Sequence, residues 1–285
     1  MPTFNRGGVE IYYEVTGTGP SLVLVHEFSG SCRSWSRQVE AFRKRYSVIT
    51  YNCRGYPPSS VPQDPSLYSQ DHSVGDLLGL LDNLKIDSPY VGGFSMGGAI
   101  ALNFALDHPR RVRALILAGT GTGSTDREQF VRDYSPIADR LESDGPRAVF
   151  DEYYTRMVTR IPLRRKNLST WKEFSEEFAR LSGLGLAYTL RGVQFKRPTI
   201  HALEARLEEL RAPTLILVGE EDEPALEPSR FMHKVIPNSK LVVFPGTGHT
   251  LNLEEPECFN EAVLEFLEQI EAKDPEEEGG EWIWA

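Results

Sequence analysis

The stretch Val91-Gly92-Gly93-Phe94-Ser95-Met96-Gly97-Gly98-Ala99 decides how this chain is read. The β run Tyr90-Val91-Gly92-Gly93 leads into it, and a segment with helical spacing, Met96 to Leu106, leads out. Within it, Gly93-Phe94-Ser95-Met96-Gly97 fits the pattern G-x-S-x-G. In that pattern the serine sits on a strained strand-to-helix turn, and only small residues two before and two after leave room for the crossing backbone. The turn pushes the Ser95 hydroxyl out above a sheet and aims the N–H of Met96 at an oxyanion forming on a reacting carbonyl. A bare match also arises by chance at any Gly-rich strand–helix junction. The strand before, the helix after and the additional Gly98 favour the nucleophile reading.

Outward from this turn, short β runs alternate with helix-like segments. Ile11–Val15, Leu22–Val25, Ser47–Tyr51, Ala114–Ala118, Thr214–Val218 and Leu241–Phe244 read as further strands. Leu22-Val23-Leu24-Val25 is continuously apolar, as a strand buried on both faces requires. Trp35–Lys44, Ser73–Leu84 and about Phe259–Ile270 carry helical spacing. Strands alternating with helices predict an α/β fold: a mostly parallel sheet covered on both faces. Gly123–Leu210 is polar, helical in pattern and without a comparable β run, so it reads as a helical cap inserted into the sheet domain. The expected organisation is a core in two parts, 1–122 and 211–272, a cap over 123–210, and an acidic tail over 273–285. The tail ends in Trp282-Ile283-Trp284, which is apolar enough to dock on the body or on a second subunit of a homo-oligomer.

The 285 residues include 31 basic and 41 acidic side chains, a net charge of −10. Such a surface repels phosphate backbones and anionic headgroups, which argues against nucleic acid and membrane as partners. No apolar run approaches the ~20 residues of a membrane-spanning helix. Met1–Glu10 lacks a basic region followed by an apolar stretch, so no secretory signal is read. Cys32, Cys53 and Cys258 are odd in number and far apart, as suits reduced thiols, and no ligand-spaced His or Cys cluster suggests a metal. The expected setting is cytoplasmic.

Ser95 and its neighbours resemble the nucleophile turn of the α/β-hydrolases, and the resemblance runs over almost the whole chain. Arg54-Gly55 followed by Ser59 is similar to that family's D-x-R-G-x-G-x-S segment, with Asn52 in place of its Asp and Pro57 in place of its second Gly. Serine needs an imidazole to take its proton and a carboxylate to hold that imidazole, in the chain order Ser, acid, His. Of six histidines, His249 lies in the Gly-rich loop Pro245-Gly246-Thr247-Gly248-His249 just after the last strand, where the resemblance places the base. The acid is sought in Gly219-Glu220-Glu221-Asp222-Glu223. The family pattern G-x-x-D selects Asp222, and Glu221 stays in reserve.

The resemblance also implies a second oxyanion donor in the loop His26-Glu27-Phe28-Ser29-Gly30-Ser31, the backbone N–H of Phe28, beside that of Met96. His26 is then a structural histidine. Glu27 stands where the family has Gly, and a carboxylate aimed into an oxyanion site would oppose the developing charge. Either Glu27 points aside, paired with a base, or it lines the pocket and contacts substrate or water. In the cap, Arg191 sits inside an apolar run and needs a carboxylate, supplied by the protein or by the substrate.

The resemblance implies a cofactor-free serine hydrolase acting on an ester or lactone of a small organic molecule. Kept beside it are carbon–carbon cleavage of a dienoic ring-fission acid, a haloperoxidase working through a peracid, and a non-enzymatic ligand-binding protein on the same fold.

Overall fold

The computed structural model describes residues 2–273. The acidic tail and Trp282-Ile283-Trp284 lie outside the described residues. Eight strands make one sheet in the order β1-β2-β4-β3-β5-β6-β7-β8. They are β1 (Thr3–Arg6), β2 (Val9–Thr16), β3 (Ser21–Val25), β4 (Ser47–Tyr51), β5 (Tyr90–Phe94), β6 (Ala114–Ala118), β7 (Thr214–Gly219) and β8 (Ser239–Phe244). From β4 to β8 the sheet is parallel, while β1 and β2 form an antiparallel hairpin at the other edge. The hairpin turns on Gly7-Gly8, with φ of +61° and +86°, values that glycine adopts without a Cβ penalty.

The β3 run shows why the sheet is buried on both sides. Alternate side chains point to opposite faces. Leu22 and Leu24 join Trp35, Phe42, Phe259 and Phe266 on one face. Val23 and Val25 join Leu77, Leu80, Ile100 and Phe104 on the other. Each such side chain, taken out of water, contributes ~1.5–3 kcal/mol before the cost of ordering it.

Helices α1 (Ser36–Phe42), α2 (Gln70–Asn83) and α3 (Met96–Asp107) connect strands of the first half. Between β6 and β7 run α4 (Arg127–Glu152), α5 (Ile161–Lys166), α6 (Leu168–Ala179), α7 (Gly183–Thr189) and α8 (Glu204–Glu208). These helices enclose an aromatic cluster of their own: Phe150 lies 5.0 Å from Trp171 and Tyr154 lies 4.6 Å from Phe178, ring centre to ring centre. Helix α9 (Glu223–Val235) links β7 to β8, and α10 (Leu251–Glu254) and α11 (Pro256–Ala272) follow the sheet. Among the described residues, no helix is long and apolar enough to cross a membrane, and no group of three or more His, Cys, Asp or Glu could hold a metal ion.

Candidate active site

Ser95 sits between β5 and α3 at φ +53° and ψ −107°, a backbone state that costs about 1–3 kcal/mol outside glycine. Its neighbours hold it there. The Ser95 N–H donates to the Ala118 carbonyl at 2.7 Å. A Cβ on Gly97 would stand 2.1 Å from the Val25 carbonyl oxygen, and one on Gly93 would stand 2.1 Å from that of Gly97. The small residues of G-x-S-x-G are therefore set by two backbone crossings.

His249 follows β8 and reaches back over this turn. Its Nε2 lies 3.0 Å from Ser95 Oγ, and its Nδ1 lies 2.6 Å from Oδ2 of Asp222, in the turn between β7 and α9. An ionised carboxylate only accepts, so Nδ1 carries the proton, and Nε2 turns its lone pair to the serine hydroxyl. Asp222 is 1% exposed, His249 7% and Ser95 9%, so the chain of bonds runs in a dry setting. The arrangement can pass the serine proton to the imidazole while the buried carboxylate stabilises the imidazolium.

The histidine loop is fastened from several sides. Glu220 Oε2 accepts the Gly246 N–H at 2.9 Å, and Glu254 Oε2 accepts that of Gly248 at 2.8 Å. Glu254 Oε1 takes both the N–H and the hydroxyl of Thr250. The His249 N–H donates to the carbonyl of Thr159, between α4 and α5, at 2.8 Å. The reserve acid, Glu221, turns outward to Arg165 at 2.8 Å and lies apart from the imidazole.

The loop after β3 is pinned by His26. Its Nε2 accepts the Cys53 N–H at 3.0 Å, so the Nδ1–H donates to the Glu27 carbonyl at 2.7 Å. Burial lowers its pKa to about 4, and it is neutral at pH 7. Asn52, in place of the family's Asp, uses both ends of its amide: Oδ1 accepts the Cys32 N–H and Nδ2 donates to the Pro57 carbonyl. The Tyr56 hydroxyl donates to the Phe28 carbonyl at 3.0 Å, while the peptide that carries the Phe28 N–H is held through its Glu27 carbonyl by His26 and by the Gly30 N–H. Among the described residues, neither the Phe28 N–H nor the Met96 N–H has an acceptor. The Met96 N–H opens α3, where the helix dipole favours negative charge.

Glu27 is 1% exposed; it is paired with a base, and it also lines the cavity over Ser95. Its Oε2 accepts from Arg160 Nη2 at 2.8 Å, while Oε1 and Arg160 Nη1 are buried without partners. The Arg160 guanidinium lies over the rings of Phe174 and Tyr154, 5.3 Å and 5.7 Å from their centres. Burial opposes its charge, but Glu27, together with Tyr154 and Asp222, outweighs that and raises its pKa.

Of the two partners left open for Arg191, the structure shows the protein one. Arg191 lies outside the cavity and donates to Asp139 at 2.7 Å and to Glu142, both on α4. Its partners are protein carboxylates, and it is not among the residues that line the cavity over Ser95. The cavity's guanidiniums are instead Arg160 and Arg197, neither of which sequence reasoning singled out. Met157-Val158-Thr159-Arg160-Ile161 carries no pattern of its own, and nothing in it points to Glu27, 133 positions earlier.

A model of the α/β-hydrolase fold matches residues 20–256. A putative 2-succinyl-6-hydroxy-2,4-cyclohexadiene-1-carboxylate synthase of Bacillus subtilis is 32% identical over 91% of this chain and 96% of its own. A 2-hydroxy-6-oxononadienedioate/2-hydroxy-6-oxononatrienedioate hydrolase of Burkholderia vietnamiensis is 31% identical over 91% of each. Among solved structures, a thermophilic esterase of Thermogutta terrifontis, with malate bound, superposes with a TM-score of 0.83 at 29% identity, over 94% of this chain and 97% of that one. The chain belongs to the α/β-hydrolase fold family and is a hydrolase of that type.

Proposed function

We propose that the chain hydrolyses an ester or lactone of a small organic molecule through an acyl-enzyme on Ser95. The observation that carries this reading is the continuous path from Ser95 Oγ through His249 to buried Asp222, with bonds of 3.0 Å and 2.6 Å. Ser95 Oγ attacks the carbonyl carbon as its proton passes to His249 Nε2. The oxyanion is held by the N–H groups of Phe28 and Met96. Collapse of the tetrahedral adduct expels the alcohol, which takes the proton from His249. A water, deprotonated in turn by His249, attacks the acyl carbon, and the acid leaves with Ser95 restored.

The test is turnover of p-nitrophenyl esters of increasing chain length and a few lactones, with Ser95→Ala alongside. The reading expects turnover that Ser95→Ala loses by at least about a thousandfold. Equal rates for both proteins would end it. The likeness to the Burkholderia vietnamiensis hydrolase supports a second reading, cleavage of a dienoic acid by the same residues. One such acid in the panel separates the two.

A further inference from the structure

Two guanidiniums line the cavity above Ser95, and they differ in one respect. Arg160 is matched by Glu27 at 2.8 Å. Arg197 meets no carboxylate among the described residues. Its Nη2 donates to the Thr122 carbonyl at 2.9 Å, and its Nη1 is buried without a partner. The residue is 6% exposed. Burial and the neighbouring Arg127 cation lower its pKa to about 9, so it stays charged at neutral pH. A desolvated, uncompensated charge costs several kcal/mol and is retained where an opposite charge arrives. Gln194 lines the same cavity, and its Oε1 is also buried without a partner.

We propose that Arg197 binds a carboxylate carried by the substrate, so that the enzyme selects esters or lactones whose acyl part or leaving group bears one. The inference rests on the serine-hydrolase reading and names its substrate class. A single carboxylate fits better than a doubly charged phosphate, because Glu27 and Asp222 line the same cavity and would repel the second charge. A planar guanidinium also matches carboxylate geometry.

The experiment compares kcat/KM within two matched pairs: mono-p-nitrophenyl glutarate against p-nitrophenyl butanoate, and 3-acetoxybenzoate against phenyl acetate. Wild type is expected to favour the anionic member of at least one pair by about ten- to a hundredfold. In Arg197→Met that ratio falls to near unity, and Arg197→Lys retains part of it. Melting temperature separates binding from scaffolding. A binding role predicts that Arg197→Met melts at or above wild type, since a buried charge without a partner is gone. A scaffolding role, through Thr122, predicts a lower melting point and equal losses on both members. No preference in either pair, or a preference that survives Arg197→Met, overturns the proposal.

A titration keeps the two readings apart. Monomethyl glutarate is titrated calorimetrically into Ser95→Ala and into Ser95→Ala/Arg197→Met, with folding of both checked by circular dichroism. Binding to the first alone supports the subsite, even if no ester is turned over and the hydrolase reading falls. Equal binding to both, or to neither, overturns it.

Discussion

Arg160, between α4 and α5, and Glu27, in the loop after β3, form an ion pair at 2.8 Å with both side chains sealed from water. One residue earlier, the Thr159 carbonyl accepts the backbone N–H of His249. Consecutive residues between α4 and α5 thus fasten the loop after β3 and the histidine loop. The glutamate that departs from the family's glycine is the anchor of one of these ties. Breaking the pair from one side leaves a buried charge unmatched. Glu27→Gln and Arg160→Met should each lose about 3–5 kcal/mol of stability in urea titrations, whereas Glu27→Leu/Arg160→Met should recover most of it. A double variant that loses the sum of the single effects would show that the pair is not coupled.

Asp222 and Glu221 are adjacent, yet only one meets the imidazole. Asp222→Asn should lower kcat by about 10³–10⁴-fold, because the amide favours the wrong tautomer of His249. Glu221→Gln removes a contact with Arg165 at the surface and should leave kcat/KM within about twofold. Steady-state kinetics on the two variants checks the assignment, which the reverse pattern would invert.

The elbow owes its shape to backbone contact. In Gly97→Ala, the new methyl would have to displace the Val25 carbonyl, 2.1 Å away. We expect a loss of about 1–3 kcal/mol from overpacking and of about a hundredfold in kcat from a displaced nucleophile. Circular dichroism melts and ester turnover read the two effects separately.

His26 sets a pH dependence of stability. Its pKa is lowered from 6.5 to about 4 by burial, so the unfolded chain binds this proton first as the pH falls. The contribution is complete above pH 6.5, declines between 6.5 and 4, and is lost below; it amounts to about 3 kcal/mol. His26→Gln can still donate to the Glu27 carbonyl and accept from Cys53, so it should fold and lack this part of the decline. Urea titrations of both proteins from pH 7.5 to 4.5 give the difference. Parallel curves would remove His26 as the cause.

What could be read from the chain alone follows the range of the interactions. The turn at Ser95 is legible because its glycines stand at fixed spacing in G-x-S-x-G, whether the backbone each one meets is near in the chain, as Gly97 is for Gly93, or far, as Val25 is for Gly97. His249 and Asp222 each follow a legible strand, and the resemblance to the family's loop patterns picks them from among their neighbours. Strand β1 is faint in the sequence because Thr3–Arg6 has only Phe4 buried; the Gly7-Gly8 turn is its one signal. Arg191 looked inward because Leu190, Gly192 and Val193 surround it. All three are buried, yet at that turn the arginine faces the α4 carboxylates Asp139 and Glu142. Arg160 and Arg197 gain their meaning from Glu27 and Thr122, 133 and 75 positions away, and no periodicity encodes such distances.

The most direct test of the account is to mix the enzyme with excess p-nitrophenyl ester, quench early and locate any acyl group by peptide mass spectrometry. The account predicts one acyl adduct per chain, on Ser95, with a matching burst of p-nitrophenol and neither signal in Ser95→Ala. Turnover with the adduct on another residue, or undiminished in Ser95→Ala, would contradict it.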